Sequence, residues 1–262
     1  MSDIRVGVVQ FAPTDSLEAN LAVIRAEVAS LSACDLIVLP EYSAWYRPDP
    51  MQWRDGGGGE PVDLVWALSE LSSATGATFV AGSLVLEDGV LRNRVLVVSA
   101  VGVVAAYDKV HLYDAFGAKE SDVIAAGDPA APAVVIDVKG VRVGVQTCYD
   151  IRFPEVSRRL IDAGAEVLVV PADWVPGEHK VEHWETLLRA RAIENLAWVV
   201  AADHAAPSGI GHSMVVDPLG VVVDRLDTVA GSFAVTISSE AVADARRTNP
   251  ALEMRRYWVE PR

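Results

Sequence analysis

The stretch Gly144-Val145-Gln146-Thr147-Cys148-Tyr149-Asp150-Ile151-Arg152-Phe153-Pro154-Glu155 runs from an apolar strand, through a polar turn, into a helix. Val141–Thr147 is its strand, Pro154 opens the helix, and Gly164 ends it. Val167–Val170 follows as a short run with no polar residue, which needs cover on both faces. Strand, helix and buried strand in succession specify an α/β chain.

The same alternation extends outward in both directions. Ile4–Phe11 reads as a strand, and Asp15-Ser16-Leu17-Glu18 as a helix start with Asp15 as N-cap and Glu18 at N3. Leu17, Leu21, Ile24, Val28 and Leu31 then form one buried helical stripe, followed by the apolar strand Leu36–Leu39. Gly56–Gly59 is a loop; without a GK[ST] ending or a preceding strand it does not read as a phosphate cradle. Pro61 opens a helix with Leu64, Ala67, Leu68 and Leu71 on one face. Thr78–Leu86 and Val90–Ala100 form a hairpin about Glu87-Asp88-Gly89, and Val103–Tyr107 is a further strand. Ala133–Val138 pairs with Val141–Thr147 about Lys139-Gly140. Beyond Val170, a helix covers Val181–Asn195, and Ala197–Ala202, Ser213–Val216, Val221–Leu226 and Phe233–Ile237 are strands. The mixture of crossovers and hairpins predicts one mixed sheet or two sheets, covered by helices, in a single domain over residues 1–262. Asn249–Arg262 lacks periodicity and reads as a C-terminal arm, of the kind that docks on a second copy.

Composition excludes several function classes. With 262 residues and 51% hydrophobic content the chain buries a large core, while a net charge of −14 argues against nucleic acid and anionic membranes. No apolar stretch approaches the roughly 18–20 residues of a membrane span. The start, Met1-Ser2-Asp3-Ile4-Arg5, has no secretory pattern, and Cys34 and Cys148 give no disulfide framework, so a cytoplasmic setting is expected.

Three residues with chemistry follow strands closely: Glu41 after Leu36–Leu39, Lys109 after Val103–Tyr107 and Cys148 after Val141–Thr147. Ligands of α/β sheets collect beyond strand carboxyl ends, so the three can converge. A carboxylate takes a thiol proton, the sulfur attacks an electrophilic carbon, and an ammonium steadies thiolate and oxyanion. A cation at ~4 Å is worth up to about 4 kcal/mol at an effective dielectric near 20, which predicts a thiol pKa drawn below its reference near 8.5.

The words around these residues carry a resemblance. Leu39-Pro40-Glu41-Tyr42, Tyr107-Asp108-Lys109-Val110-His111-Leu112-Tyr113-Asp114 and Gly144–Glu155 resemble the three signature segments of the nitrilase-like (carbon–nitrogen hydrolase) family. Lys119-Glu120-Ser121 with Gly127, the run from His183 to Asn195, and Gly211–Gly220 extend the match. The resemblance implies a four-layer α-β-β-α sandwich, commonly paired as a homodimer or built into larger homo-oligomers, with no cofactor and no metal. It implies Glu41 as general base, Lys109 as stabiliser of the tetrahedral intermediate and Cys148 as nucleophile. It also implies Glu120 as a second, orienting glutamate and the Tyr149 backbone N–H as an oxyanion donor. The stretch from Asp114 to Glu120 is shorter than in many members. Tyr149-Asp150 after the cysteine, where true nitrilases carry Trp-Glu, resembles the amidase branch of ω-amidases and deaminated-glutathione amidases. The implied substrate is a small linear carboxamide; an N-carbamoyl amine or a nitrile is the alternative within the family, and a catalytically silent binding protein the alternative outside it.

Around this set, Tyr42, Trp45, Tyr46 and Trp174 either wall a pocket or pack the core. Arg152 either receives a substrate carboxylate or pairs with Asp150 or Glu155. Glu185–Arg189 and Arg191–Glu194 have the spacing of stabilising helix pairs. His179-Lys180-Val181-Glu182-His183 matches an H-x-x-E-H zinc pattern, but Pro176-Gly177-Glu178 sets His179 ahead of the helix.

Overall fold

A computed structural model describes residues 2–31, 33–53 and 62–261. These residues form two six-stranded sheets. In the first, β1 (Asp3–Gln10), β2 (Leu36–Val38) and β3 (Thr78–Glu87) run parallel. The helices α1 (Leu17–Ser30) and α2 (Val62–Thr75) connect them. β4 (Val90–Ser99) and β5 (Gly102–Asp108) add an antiparallel meander at one edge. In the second sheet, β6 (Val135–Val138) and β7 (Val141–Val145) form a hairpin. β7 then runs parallel to β8 (Val167–Pro171) and β9 (Trp198–Ala202). α3 (Pro154–Asp162) and α4 (Lys180–Asn195) make the crossovers, and β10 (Met214–Val216) and β11 (Val222–Arg225) close the edge. The chain then returns to the first sheet, where β12 (Gly231–Ser238) pairs antiparallel with β1 and leads into α5 (Ser239–Thr248).

Strand parity sorts the core into layers. Val6 and Val8 of β1, Leu36 and Val38 of β2 and Val167 and Val169 of β8 join one cluster between the sheets. Val9 and Ile37 face the α1 and α2 stripe of Ile24, Val28, Leu64 and Leu68. Leu168 and Val170 face Trp184, Leu188 and Ala192 of α4. Each fully buried side chain of this size contributes about 1.5–3 kcal/mol, so the central parallel strands carry apolar residues on both faces. The result is the α-β-β-α sandwich implied by the family resemblance.

Local readings shift in two places. Ser16, not Asp15, caps α1, its hydroxyl accepting from the Ala19 amide at 3.3 Å, while Asp15 pairs with Arg47 at 3.1 Å. Helix α5 falls where no helix is expected; Ser238 caps it through the Ala241 amide at 3.2 Å, and Val242 and Ala245 form its short buried face. The glycine loop 56–59 and the Pro61 helix start lie outside the described residues.

Candidate active site

Glu41 stands three residues beyond β2, where the chain leaves the sheet but stays bonded to β3. The Gly82 amide donates to Pro40 O at 3.1 Å and the Ser43 amide to Gly82 O at 2.8 Å. Gly82 permits this approach, since a Cβ there would lie 2.5 Å from Glu41 Cα. The Glu41 side chain is 1% exposed, and its Oε2 accepts the Asp173 amide at 2.8 Å. Its backbone carbonyl accepts from His204 Nε2 at 2.6 Å. Both sheets therefore hold this one residue, because Asp173 and His204 follow β8 and β9.

Lys109 directly follows β5, tied to β4 by its amide on Asn93 O at 2.9 Å. Its ammonium donates to Glu41 Oε1 at 3.0 Å and to Glu120 Oε2 and Oε1 at 2.9 and 3.2 Å. Glu120 also accepts the Tyr42 hydroxyl at 2.7 Å and the Tyr113 amide at 2.6 Å. Asn93 completes the group: its Nδ2 lies 2.6 Å from Glu41 Oε1, 2.8 Å from Tyr42 Oη and 3.1 Å from Glu120 Oε1. The structure thus brings Glu41, Lys109, Glu120 and Tyr42 together. Sequence reasoning missed Asn93, although it occupies a buried parity of β4 shared with Leu91 and Val95.

Cys148 begins the tight turn after β7, with φ +44°, in the left-handed region. Asp150 holds that turn. It accepts the Thr147 amide at 3.2 Å and the Tyr107 hydroxyl at 2.8 Å, and its other oxygen lies 2.9 Å from His111 Nδ1. The thiol donates to Asp173 O at 3.5 Å, and the Glu41 carboxylate is close enough to act on its charge. Cys148, Glu41 and Lys109 line one cleft of about 1420 Å³ with Glu120, Tyr113 and Asp173. A second cleft of about 1260 Å³, between Tyr107, Phe153 and the segment Trp258–Pro261, contains none of these groups.

The electrostatics reverse one expectation. Burial, and then the Glu41 charge, push the Cys148 thiol well above its ordinary value, and Lys109 pulls it down only in part. The ammonium is shared by two carboxylates, so ionising the sulfur as well leaves a net charge of −2 among buried groups. Burial likewise raises the Glu41 carboxyl despite Lys109. Burial also acts upward on Glu120, but Lys109, the Tyr113 amide and the Tyr42 hydroxyl outweigh it and hold Glu120 below the usual carboxylate range. Burial opposes the charge on Lys109, and Glu120 and Glu41 more than restore it. Buried Asp173 is pushed up to about 7 and buried His204 down to about 4. A carbonyl only accepts, so His204 Nε2 carries the proton it donates to Glu41 O, and its Nδ1 accepts from the Ser208 hydroxyl at 3.1 Å, with Asp173 Oδ1 3.2 Å away. A protonated Asp173 suits that contact.

The weaker candidates divide. Tyr42 and Tyr46 line the cleft, but Trp174 is buried in the layer under α4, its ring 5.2 Å from that of Trp184. Arg152 pairs with neither Asp150, which Thr147, Tyr107 and His111 engage, nor Glu155. Its guanidinium stacks 4.8 Å from the Trp174 ring and reaches His183 Nδ1 at 3.4 Å. Tyr149 flanks it, ring to guanidinium 5.9 Å, and its amide follows the Cys148 corner. Glu185–Arg189 at 3.5 Å and Arg191–Glu194 at 2.8 Å form on α4 as expected. His179 precedes α4 in a left-handed conformation.

Fold and cleft together define a cysteine-dependent hydrolase built on an α-β-β-α sandwich. Residues 5–247 match the family described as Carbon-nitrogen hydrolase, and the chain belongs to that family. It is 40% identical over 165 residues to a deaminated glutathione amidase of Escherichia coli O157:H7, covering 63% of this chain and 62% of that one. It is 31% identical over 266 residues to a 2-oxoglutaramate amidase of Paenarthrobacter nicotinovorans, covering 97% and 89%. The crystal structure of a CN-hydrolase superfamily protein from Xanthomonas campestris, with an arsenic adduct in its active site, matches at a TM-score of 0.86 and 26% identity over 100% of both chains.

Proposed function

We propose that the chain hydrolyses a small linear carboxamide to carboxylate and ammonia through a thioester on Cys148. One observation carries the reading: the buried Cys148 thiol shares a cleft with the Glu41 carboxylate and with an ammonium 3.0 Å from that carboxylate. Glu41 takes the thiol proton as sulfur attacks the carbonyl carbon. Lys109 and the Tyr149 N–H receive the oxyanion. Collapse of the tetrahedral adduct expels nitrogen, which leaves as ammonia with the proton from Glu41. Water then attacks the thioester, Glu41 takes one of its protons and passes it to the departing sulfur, and the carboxylic acid released gives its remaining proton to solvent. Glu120 is the anion that keeps Lys109 in place. The amidases among the relatives support an amide rather than a nitrile as substrate.

The reaction needs no cofactor. Among the described residues no helix is long and apolar enough to cross a membrane, which suits a cytoplasmic enzyme. Tyr257 and Trp258 on the arm are 88% and 81% exposed, and we read this segment as packing on a second copy of the chain. Equilibrium sedimentation tests that pairing. For the activity, ammonia release is measured across small amides, ureido acids and nitriles, with Cys148→Ala as blank. Release from amides alone is expected; carbon dioxide with ammonia from ureido acids, or turnover of nitriles only, contradicts the reading.

A further inference from the structure

Tyr107 and His111 stand two residues either side of Lys109, and Thr147 immediately precedes Cys148. The two segments belong to different sheets. Tyr107 lies on β5 of the first, and the turn 147–152 follows β7 of the second. One carboxylate, that of Asp150, joins them, at 0% exposure. Its Oδ2 accepts the Tyr107 hydroxyl at 2.8 Å and the Thr147 amide at 3.2 Å. Its Oδ1 accepts from His111 twice, from Nδ1 at 2.9 Å and from the amide at 3.3 Å. Among the described residues, three hydrogen bonds cross from 107–111 to 147–152, and all three end on this group. The His111 ring also lies flat on that of Phe153, centroids 3.7 Å apart.

An ionised carboxylate accepts on both oxygens, whereas an amide of the same shape accepts on one and donates on the other. Asparagine at 150 therefore turns an N–H toward either the Thr147 amide or the His111 amide, whichever way it is flipped. The position calls for an acid, although Asp150 lies outside the lining of the active cleft. The backbone of Lys109 is anchored locally, its amide on Asn93 O at 2.9 Å and its carbonyl on the Gly127 amide at 2.8 Å. Neither bond sets its distance from the sulfur. The geometry points to Asp150, braced by Tyr107 and His111, as a positioning residue that fixes the separation of the Lys109 ammonium from the Cys148 sulfur across the two sheets. This deepens the amidase reading and rests on it for the effect on turnover, while the contact between sulfur and ammonium is read without substrate.

Two variants separate position from charge. Tyr107→Phe removes one donor and no charge. Asp150→Asn keeps the shape and removes a negative charge, which by itself eases ionisation of a nearby thiol. Burial and Glu41 raise the Cys148 thiol, Lys109 lowers it, and a charged Asp173 adds to the rise. A retreating Lys109 raises it further, and a retreat of about 1 Å from ~4 Å is worth roughly half a pH unit. The midpoint of Cys148 alkylation by iodoacetamide is expected to rise by about that much in Tyr107→Phe. It is expected to rise in Asp150→Asn as well, against the direct effect of the lost charge. With a small amide, kcat is expected to fall at least about fivefold in Tyr107→Phe and about 100-fold in Asp150→Asn, with KM changed less than about threefold, the scale of a small misplacement. Urea melts show which proteins are folded, and Tyr107→Phe decides alone where Asp150→Asn is not. A midpoint unchanged in Tyr107→Phe or lowered in folded Asp150→Asn overturns the clamp, as does wild-type kcat in Tyr107→Phe. Raised midpoints without amide turnover by any of the proteins, wild type included, support the clamp and sink the amidase reading.

Discussion

The ammonium of Lys109 lies 3.0 Å from Oε1 of Glu41, and the same group is held by Glu120 at 2.9 Å. One positive charge between two carboxylates leaves the site anionic before the sulfur ionises. The thiol therefore rests protonated and loses its proton to Glu41 only as the carbon–sulfur bond forms.

A direct consequence concerns alkylation of the free enzyme. The pH profile of Cys148 reaction with iodoacetamide is expected to have its midpoint above the free-thiol value of about 8.5. Glu41→Gln removes the charge that opposes ionisation and shifts the midpoint down, while amide turnover falls by at least about 100-fold. A wild-type midpoint below neutrality contradicts this account.

Lys109→Ala removes the only cation bonded to the two buried carboxylates among the described residues. Leaving them uncompensated costs about 3–5 kcal/mol of stability at pH 7. The missing oxyanion partner costs a further few kcal/mol of barrier. Urea unfolding and kcat/KM measure the two. An active enzyme with unchanged unfolding midpoint argues against the arrangement.

Asn93→Leu keeps the volume of the buried position but deletes the amide that bonds Glu41, Tyr42 and Glu120. Unsatisfied buried acceptors cost about 1–3 kcal/mol, and a displaced Glu41 lowers kcat more than it raises KM. Near wild-type kcat in the variant excludes a positioning role for Asn93.

Asp173 links the site to pH. Its native pKa near 7 is raised from 3.8, so between those values the native state holds a proton that the unfolded chain has released. Its contribution to stability is present below about pH 4 and lost as pH rises through about 7, with a slope of at most about 1.4 kcal/mol per pH unit. Asp173→Asn removes that dependence. The stability of wild type minus variant, from urea melts at pH 4.5–7.5, is expected to fall with pH; a flat difference contradicts a protonated Asp173.

The short apolar central strands made helix-covered sheets legible but left one mixed sheet or two open, and the four-layer sandwich was implied only by the family resemblance. Glu41, Lys109 and Cys148 stand out as polar residues just past such runs. Asp173 and His204 have the same placement after β8 and β9, but their meaning depends on the second sheet closing over the first, which no local pattern encodes. The direction of the Cys148 shift escaped for a related reason, since weighing one cation against one thiol omits the second carboxylate that shares it.

The acyl-enzyme offers the most direct test of the central claim. Protein mixed with a small amide such as butyramide, quenched in acid within the first turnovers, is weighed intact and after proteolysis. The account predicts a mass gain of one acyl group less a proton, confined to the peptide containing Cys148 and absent from Cys148→Ala. An acyl group on another residue, or ammonia release by Cys148→Ala at the wild-type rate, contradicts it.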